Sequence, residues 1–263
     1  MTTVTQHAPG TFSWPELSTS DPAGAKQFYT TLFGWTAHDQ EMGGGPPYTI
    51  LRKNGKDIGA LCSINPDAAK AGVPSHWLSY VSVESADQSA ARAKQLGGNV
   101  HAGPFDVGDL GRMAVLQDPT GATFAVWEAK KHIGAGLLDE TGALTWTELL
   151  TRDTKQAATF YTGLFPWSTE VKPMGNMDYT LFKRGEAMAG GLFEITPEMG
   201  PMPANWSVHF QVDDTDAATA KAVGLGAKVV MPPMDVPNVG RFAVLFDPQG
   251  APFSIMAYFS KPS

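Results

Sequence analysis

Runs of alternating apolar and polar residues recur along this chain, and the first run leads directly into a helix signal. Residues Phe12–Ser18 alternate with the period of a β-strand. Asp21 and Pro22 follow as an N-cap and a first-turn proline, and residues 23–33 carry apolar side chains at helical spacing. Gly34 ends this helix. Three short strands are then predicted at Thr36–Gln40, Tyr48–Lys53 and Asp57–Ser63.

The same order of elements returns later in the chain. A strand is predicted over residues 77–83, and a helix over residues 86–96 closes at Gly97. Three strands follow near residues 100–102, 111–117 and 123–128. The last two are joined by Asp118-Pro119-Thr120-Gly121, with proline and glycine where a β-turn favours them. The repeating unit is therefore strand–helix–strand–strand–strand.

The whole order of elements occurs twice in the sequence. The early matches, 132 residues apart, are Trp14 with Trp146, Glu16 with Glu148, Asp21 with Asp153, Tyr29 with Tyr161 and Trp35 with Trp167. The later matches, 129 residues apart, are Trp77 with Trp206, Arg112 with Arg241, Asp118 with Asp247 and Gly121 with Gly250. A repeat of this length has the size of a domain rather than of a solenoid unit. We therefore predict a first domain over 1–130, a glycine-rich linker over 131–142 and a second domain over 143–263.

Composition narrows the class of protein. The 263 residues are 43% hydrophobic and 17% charged, enough to bury two cores. The net charge of -7 argues against nucleic acid or an anionic membrane as a partner. No apolar run approaches the roughly 20 residues that span a bilayer, and the N-terminus lacks a signal-peptide layout, so a cytoplasmic location is expected. Cys62 is the only cysteine, which excludes an internal disulfide, and we interpret it as a small core residue.

The pattern resembles the vicinal oxygen chelate superfamily, which includes glyoxalase I, bleomycin-resistance proteins and extradiol dioxygenases. The resemblance covers essentially the whole chain and depends on the run from Ser20 to Trp35 and on the Asp-Pro-x-Gly hairpins. The second copy departs slightly, with Thr154 for the proline and Pro166 for the glycine. The resemblance implies an α+β fold in which four βαβββ units form two tandem, half-open mixed β-barrels with helices outside.

Metal-using members of this superfamily place their ligands at fixed positions. The corresponding positions here are Trp14 and Trp146, Ala60 and Gly191, Leu78 and Ser207, and Ala125 and Ser254. None of the eight offers an imidazole or a carboxylate, and a divalent cation needs several such ligands converging. We therefore expect no metal and no other cofactor, since no Gly-x-Gly-x-x-Gly motif follows a strand.

Strand alternation predicts what lines the barrels instead. Residues two apart share a face, so Glu16 lies on the face of Trp14 and Glu148 on the face of Trp146. Small residues at the former ligand positions are expected to leave room for a ligand. The predicted ligand-binding residues are Trp14, Tyr48, Tyr80, Trp127, Trp146, Glu148, Tyr179, Ser207, Ser254 and Met256. Indole and phenol rings favour a flat aromatic ligand.

In single-domain relatives, one subunit's first unit shares a cavity with its partner's second unit, and a tandem chain can do this internally. The first cavity would then join Trp14, Glu16 and Tyr48 to Ser207, His209 and Met256. The second would join Trp146, Glu148 and Tyr179 to Leu78, Tyr80 and Trp127. Only the first would combine a carboxylate with an imidazole, so Glu16 and His209 are the predicted catalytic pair. The histidines at 7, 38, 76, 101 and 132 lack ligand spacing and are interpreted as surface or loop residues.

Two kinds of function remain open at this point. The first is a metal-independent small-molecule-binding protein that holds an aromatic or apolar metabolite. The second is a metal-independent lyase, isomerase, cyclase or tailoring enzyme of secondary metabolism, with Glu16 and His209 as acid and base. A metal-dependent glyoxalase or dioxygenase is disfavoured by the eight positions. The chain is expected to be either a monomer with an internal pseudo-dimer or a homodimer.

Overall fold

The computed structural model describes residues 4–41, 45–174 and 177–260. In the first copy the strands are β1 Phe12–Thr19, β2 Thr36–Gln40, β3 Tyr48–Lys53, β4 Lys56–Ser63, β5 His76–Ser82, β6 Asn99–Val107, β7 Gly111–Gln117 and β8 Thr123–Ala129. The helices there are α1 Pro22–Phe33, α2 Pro66–Lys70 and α3 Ala86–Gln95. Each strand and helix predicted for this copy is present. The short helix α2 was not predicted; the Asn65 side chain caps it by accepting from the Asp67 N–H.

The second copy repeats these elements. Its strands are β9 Leu144–Thr151, β10 Ser168–Met174, β11 Met177–Arg184, β12 Ala187–Glu194, β13 Asn205–Gln211, β14 Lys228–Val236, β15 Gly240–Phe246 and β16 Pro252–Tyr258. Its helices are α4 Thr154–Leu164 and α5 Thr215–Gly224, and a 3-10 turn lies at Pro197–Met199. None of the helices in the described ranges is both long enough and apolar enough to cross a bilayer.

Local sequence signals explain where the helices begin. The Asp21 side chain accepts from the Gly24 N–H at 3.0 Å, and Asp153 accepts from the Gln156 N–H at 2.9 Å. Both carboxylates thereby satisfy a backbone donor that the helix itself cannot pair. Gly34 ends α1 in the left-handed conformation, at φ 68°.

Each copy forms one eight-stranded mixed sheet. The strand orders are β2-β3-β4-β1-β5-β8-β7-β6 and β10-β11-β12-β9-β13-β16-β15-β14. The central pairs, β1 with β5 and β9 with β13, are antiparallel, so both units of one copy share a sheet. This confirms the two tandem α+β half-barrels. It also means that the strands of one half-barrel all come from one copy.

Each of the two large hydrophobic cores contains residues from both copies. One core packs α1 against β13, β15, β16 and α5, and the other packs α3, β7 and β8 against α4, β9 and β12. Phe33 lies 5.3 Å from Phe210 and Phe124 lies 5.3 Å from Tyr161 between ring centroids. The outer, helix-covered faces of the sheets are thus buried together, and the inner faces are left for a site.

Candidate functional site

The inner face of the first half-barrel carries a hydrogen-bonded set of aromatic residues around Glu16. Trp14 donates from Nε1 to the Tyr48 hydroxyl at 3.4 Å, and Tyr48 donates to Glu16 Oε2 at 2.6 Å. Tyr80, from the neighbouring strand β5, donates to Glu16 Oε1 at 3.1 Å. Both carboxyl oxygens of Glu16 therefore accept a phenolic hydrogen bond.

Burial controls the proton affinity of this group. It raises the pKa of Glu16 above its ordinary value, against the opposing effects of the Tyr48 and Tyr80 hydrogen bonds. Burial also raises the pKa of both tyrosines, which keeps their hydroxyls protonated as donors. Cys62 lies on β4, the strand that pairs directly with β1, and burial raises the pKa of its thiol to about 12. It is a protonated, unreactive thiol, which agrees with its interpretation as a packing residue.

The second half-barrel repeats the central part of this arrangement. Trp146 Nε1 donates to the Tyr179 hydroxyl at 2.9 Å, and Tyr179 donates to Glu148 Oε1 at 2.7 Å. Burial again raises the pKa of the glutamate. We call Trp14–Tyr48–Glu16 and Trp146–Tyr179–Glu148 the first and second triads. The glutamate and tyrosine of both triads are half-buried; the tryptophans differ, since Trp146 is half-buried and Trp14 is only 5% exposed.

His209 lies on the same inner face as the second triad. Strand β13 pairs it with Trp146 across to β9 and with Ser254 across to β16. The side chain is 4% exposed, and among the described residues neither ring nitrogen has a hydrogen-bond partner. Burial lowers the pKa of His209 to about 4, so the imidazole is neutral at physiological pH.

The two half-barrels differ in how much side chain fills them. The equivalent positions hold Leu78 and Ser207, Tyr80 and His209, Trp127 and Met256, and Ala60 and Gly191, with the smaller residue in the second half-barrel each time. The first half-barrel has an apolar cluster of its own, to which the linker residue Ala135 contributes. At two further equivalent pairs, Ala125 and Ser254 and Met113 and Phe242, the larger residue is in the second half-barrel. The second is therefore the more polar of the two, and it has smaller side chains on β12 and β13.

The linker closes one side of the first half-barrel. The His132 ring stands edge-on to Trp14 with centroids 4.8 Å apart, and its backbone oxygen accepts from Trp127 Nε1 at 2.8 Å. His7 is 7% exposed, and its Nε2 lies 2.8 Å from the Ala135 oxygen. These two histidines were interpreted as surface or loop residues; both lie in loop segments, but neither is an exposed surface residue. Their segments lack periodicity, so no pattern could have indicated the contacts.

The predicted catalytic pair is not assembled. Glu16 lies in the first sheet and His209 in the second, because β1 pairs with β5 of its own copy rather than with β13. The prediction that each cavity combines strands from both copies is therefore wrong. Tyr80 and Trp127 accompany Trp14, Glu16 and Tyr48. The residues that accompany Trp146, Glu148 and Tyr179 are Ser207, His209, Ser254 and Met256.

One of the small residues, Gly191, serves a different purpose from the one expected. A Cβ on Gly191 would lie 1.9 Å from the Tyr179 hydroxyl and 3.0 Å from Trp146 Nε1. The glycine thus makes space for the second triad itself rather than for a ligand. Ile50 and Phe242 were missed as inner-face residues, although strand alternation two residues from Tyr48 predicts the first of them.

The residues at the inner faces do not fit a divalent cation. Within residues 4–41, 45–174 and 177–260, no group of three or more histidine, cysteine, aspartate or glutamate side chains converges to hold one. Trp146 and Gly191, at two former ligand positions, are in contact with Tyr179 instead. Indole and glycine supply no metal donor.

The arginines at the equivalent hairpin positions of the two copies are paired with carboxylates. Arg112 pairs with Asp87 and Asp106, and Arg241 pairs with Asp216 and Asp235, so these arginines brace strand edges. A shallow open groove on the outer surface lies near Leu96. Its one carboxylate, Asp153, already caps α4.

Comparison with known proteins agrees with this architecture. The Glyoxalase/Bleomycin resistance protein/Dioxygenase superfamily matches residues 11–126, and a glyoxalase-like domain family matches residues 146–256. CFP32 of Mycobacterium tuberculosis, provisionally named a glyoxylase, is 43% identical over 95% of this chain and 96% of its own length. The anthracycline biosynthesis protein DnrV of Streptomyces peucetius is 36% identical over 96% of this chain and 95% of its own.

Among solved structures, the Mn(II)-bound glyoxalase from Novosphingobium aromaticivorans superposes with a TM-score of 0.68. The alignment covers 96% of this chain and 83% of the glyoxalase at 14% identity, so it shows the shared fold. With two matched domains, two matched half-barrels and full-length relatives above 30% identity, this chain belongs to the glyoxalase/bleomycin resistance protein/dioxygenase superfamily.

Proposed function

We propose that this protein binds a flat aromatic metabolite on the inner face of a half-barrel, without using a metal ion. The observation that carries the proposal is the second triad. It presents an indole, a phenol and a carboxyl group of raised pKa together on a half-buried, concave surface. An apolar wall with a few convergent polar groups is the usual design of a small-molecule site.

The ligand class follows from the chemistry of the wall. Trp146, Phe242 and Tyr179 offer ring faces, which pack against flat π-systems. Glu148, Ser207 and Ser254 offer hydrogen-bonding groups that fix orientation. Two curated relatives are named for anthracycline biosynthesis. Anthracyclines are fused-ring hydroxyquinones, which combine a flat aromatic body with hydroxyl and carbonyl oxygens.

A second candidate function is a metal-independent tailoring enzyme that moves protons. The observation that favours it is that Glu148 and His209 share one inner face, in place of the Glu16–His209 pair expected from the sequence. Burial raises the pKa of Glu148, which makes its carboxyl group easier to protonate, and lowers the pKa of His209 to about 4, which leaves the imidazole a neutral base at neutral pH. Such a pair could isomerise a ligand by taking a proton from one atom and returning one to another.

Binding can be tested with 1,4-dihydroxyanthraquinone as the probe. The protein is treated with EDTA, its metal content is measured by elemental analysis, and its thermal unfolding is followed with and without the probe. A binder is stabilised by mass action, by about 2.7 kcal/mol at 100-fold excess over Kd. Loss of binding on metal removal, or no shift with the probe, would overturn the proposal.

The enzyme candidate is separated by what happens to the ligand. The probe for this test is 1-tetralone, an aromatic ketone with C–H bonds next to its carbonyl group. Incubation in D₂O followed by mass spectrometry detects deuterium entering that position. A pure binder returns the probe unlabelled. An isomerase labels it, and Glu148→Gln or His209→Gln then abolishes labelling.

A further inference from the structure

We propose that the two half-barrels have different roles: the second receives a phenolic or enolic hydroxyl of the ligand between Glu148 and His209, whereas in the first the protein's own Tyr80 takes that place. This inference rests on the proposed function and adds to it the chemical class of the ligand and the half-barrel that binds it.

The strand register makes the two places equivalent. In the first sheet, Trp14 is opposite Tyr80 and Glu16 is opposite Leu78. Glu16 and Tyr80 are therefore diagonal neighbours across the β1–β5 pair, about 7–8 Å apart in the backbone. The phenol of Tyr80 bridges that separation and donates to Glu16 Oε1 at 3.1 Å.

The second sheet repeats the register with a different side chain. Trp146 is opposite His209 and Glu148 is opposite Ser207, which makes Glu148 and His209 the diagonal pair. An imidazole is shorter than a phenol and does not bridge the diagonal. Among the described residues, Glu148 accepts only from Tyr179, and neither nitrogen of His209 has a partner.

This arrangement implies a ligand that supplies the missing contacts. A buried imidazole without hydrogen bonds is costly, because it has lost its water partners and gained no replacement. A neutral imidazole offers one donor and one acceptor, and Glu148 offers a further acceptor. A hydroxyl between them can donate to Glu148 and accept from the His209 N–H. The Tyr80 phenol on Glu16 shows the corresponding contact within this chain.

Access also favours the second half-barrel. The difference lies at the indole: Trp14 is 5% exposed under the linker, whereas Trp146 is half-buried, and the tyrosine and glutamate of both triads are half-buried. Ser207 replaces the bulk of Leu78 beside the diagonal. A hydroxylated aromatic ring would enter past the half-buried Trp146 to reach His209, which is itself 4% exposed, with Phe242 near His209 as part of the wall.

The test places the tyrosine of the first half-barrel at the equivalent position of the second. His209→Tyr gives the second half-barrel the phenol of the first, and Tyr80→Phe is the matched control in the first. The probes are 1,4-dihydroxyanthraquinone and unhydroxylated 9,10-anthraquinone, with affinity and stoichiometry measured by calorimetry. We expect one site per chain, at least tenfold tighter binding of the hydroxylated probe, at least tenfold loss in His209→Tyr, and less than twofold change in Tyr80→Phe.

The outcomes separate this inference from the proposed function. If the wild-type protein binds neither probe, the proposed function fails. If it binds both probes equally, or if His209→Tyr binds as well as wild type, the function stands and the hydroxyl site is overturned. Equal losses in His209→Tyr and Tyr80→Phe also overturn it. If His209→Tyr does not fold, ¹⁵N NMR of the wild-type imidazoles decides: binding must shift the His209 ring nitrogens, and unchanged signals contradict the proposal.

Discussion

The hydroxyl of Tyr29 donates a 3.0 Å hydrogen bond to Asp247 Oδ2, which joins helix α1 of the first domain to the last hairpin of the second. Trp77 Nε1 donates to the same hydroxyl at 3.0 Å. The other oxygen of Asp247 accepts from the backbone N–H groups of Gln249 and Ala251 and so shapes the turn. The Asp-Pro-x-Gly motif therefore forms its own hairpin and anchors the tyrosine of the opposite domain.

This bridge can be measured by a double-mutant cycle. Tyr29→Phe and Asp247→Asn each alter the same buried contact, while asparagine keeps an oxygen for the turn. We expect Tyr29→Phe to lower the free energy of unfolding by about 1.5–3 kcal/mol, as for a hydrogen bond to a charged group. Chemical denaturation of both single variants and the double variant should give a coupling energy of about 1 kcal/mol or more. Strict additivity would show that the two side chains do not interact.

His209 should make stability depend on pH. The unfolded chain has a histidine pKa near 6.5 and the folded chain one of about 4, so between these values the unfolded state binds more protons. The free energy of unfolding therefore falls as pH falls from 6.5 to 4, by about 3 kcal/mol from this residue. Urea denaturation across this range should show a shallower decline in His209→Gln than in wild type.

Other groups with shifted pKa values also contribute to the pH dependence of stability in that experiment. Burial lowers the pKa of His7 and His132, which adds to the same decline in both proteins. Burial raises the pKa of Glu16 and Glu148; their contribution has the opposite sign, because it is present at low pH and is lost as pH rises through the folded pKa. A pH-independent difference between wild type and His209→Gln would contradict the assignment to His209.

The path of the linker requires glycine at residue 134 but not at residue 136. Gly134 has φ 104°, and a Cβ there would lie 2.6 Å from the Ser13 oxygen, where the linker runs beside β1. Gly134→Ala should therefore lower stability by about 1–3 kcal/mol. Gly136→Ala is the control, since its nearest neighbour would be at 3.6 Å and its φ is ordinary; we expect a change within about 0.5 kcal/mol. Thermal unfolding with equal losses for both variants would contradict the close approach at Ser13.

The two triads should respond differently to loss of their phenol. Tyr179→Phe removes the hydroxyl that joins Trp146 to Glu148 and should weaken binding of 1,4-dihydroxyanthraquinone about tenfold, as expected for one hydrogen bond of about 1–1.5 kcal/mol. Tyr48→Phe makes the same change in the first triad and should leave affinity unchanged. Quenching of tryptophan fluorescence by the probe measures both. A larger loss in Tyr48→Phe would place the ligand in the first half-barrel.

Local patterns in the sequence determined the elements and their repetition. Strand alternation, the caps Asp21 and Asp153 and the two Asp-Pro-x-Gly turns act between residues close in the chain, so their outcome could be predicted without the rest of the fold. Alternation also placed Glu16 beside Trp14 and Glu148 beside Trp146. The repeat and the resemblance that it carries gave the two half-barrels.

Only the tertiary structure decided which halves share an inner face. The pairing of β1 with β5, rather than with β13, depends on contacts between residues 58 to 69 positions apart, and the repeat makes both choices look alike in sequence. That pairing gives Glu16 the phenol of Tyr80, while on the other sheet it leaves His209 without a hydrogen-bond partner among the described residues. A hydrogen bond requires two side chains to arrive at the same point in space, and strand order and register set that point.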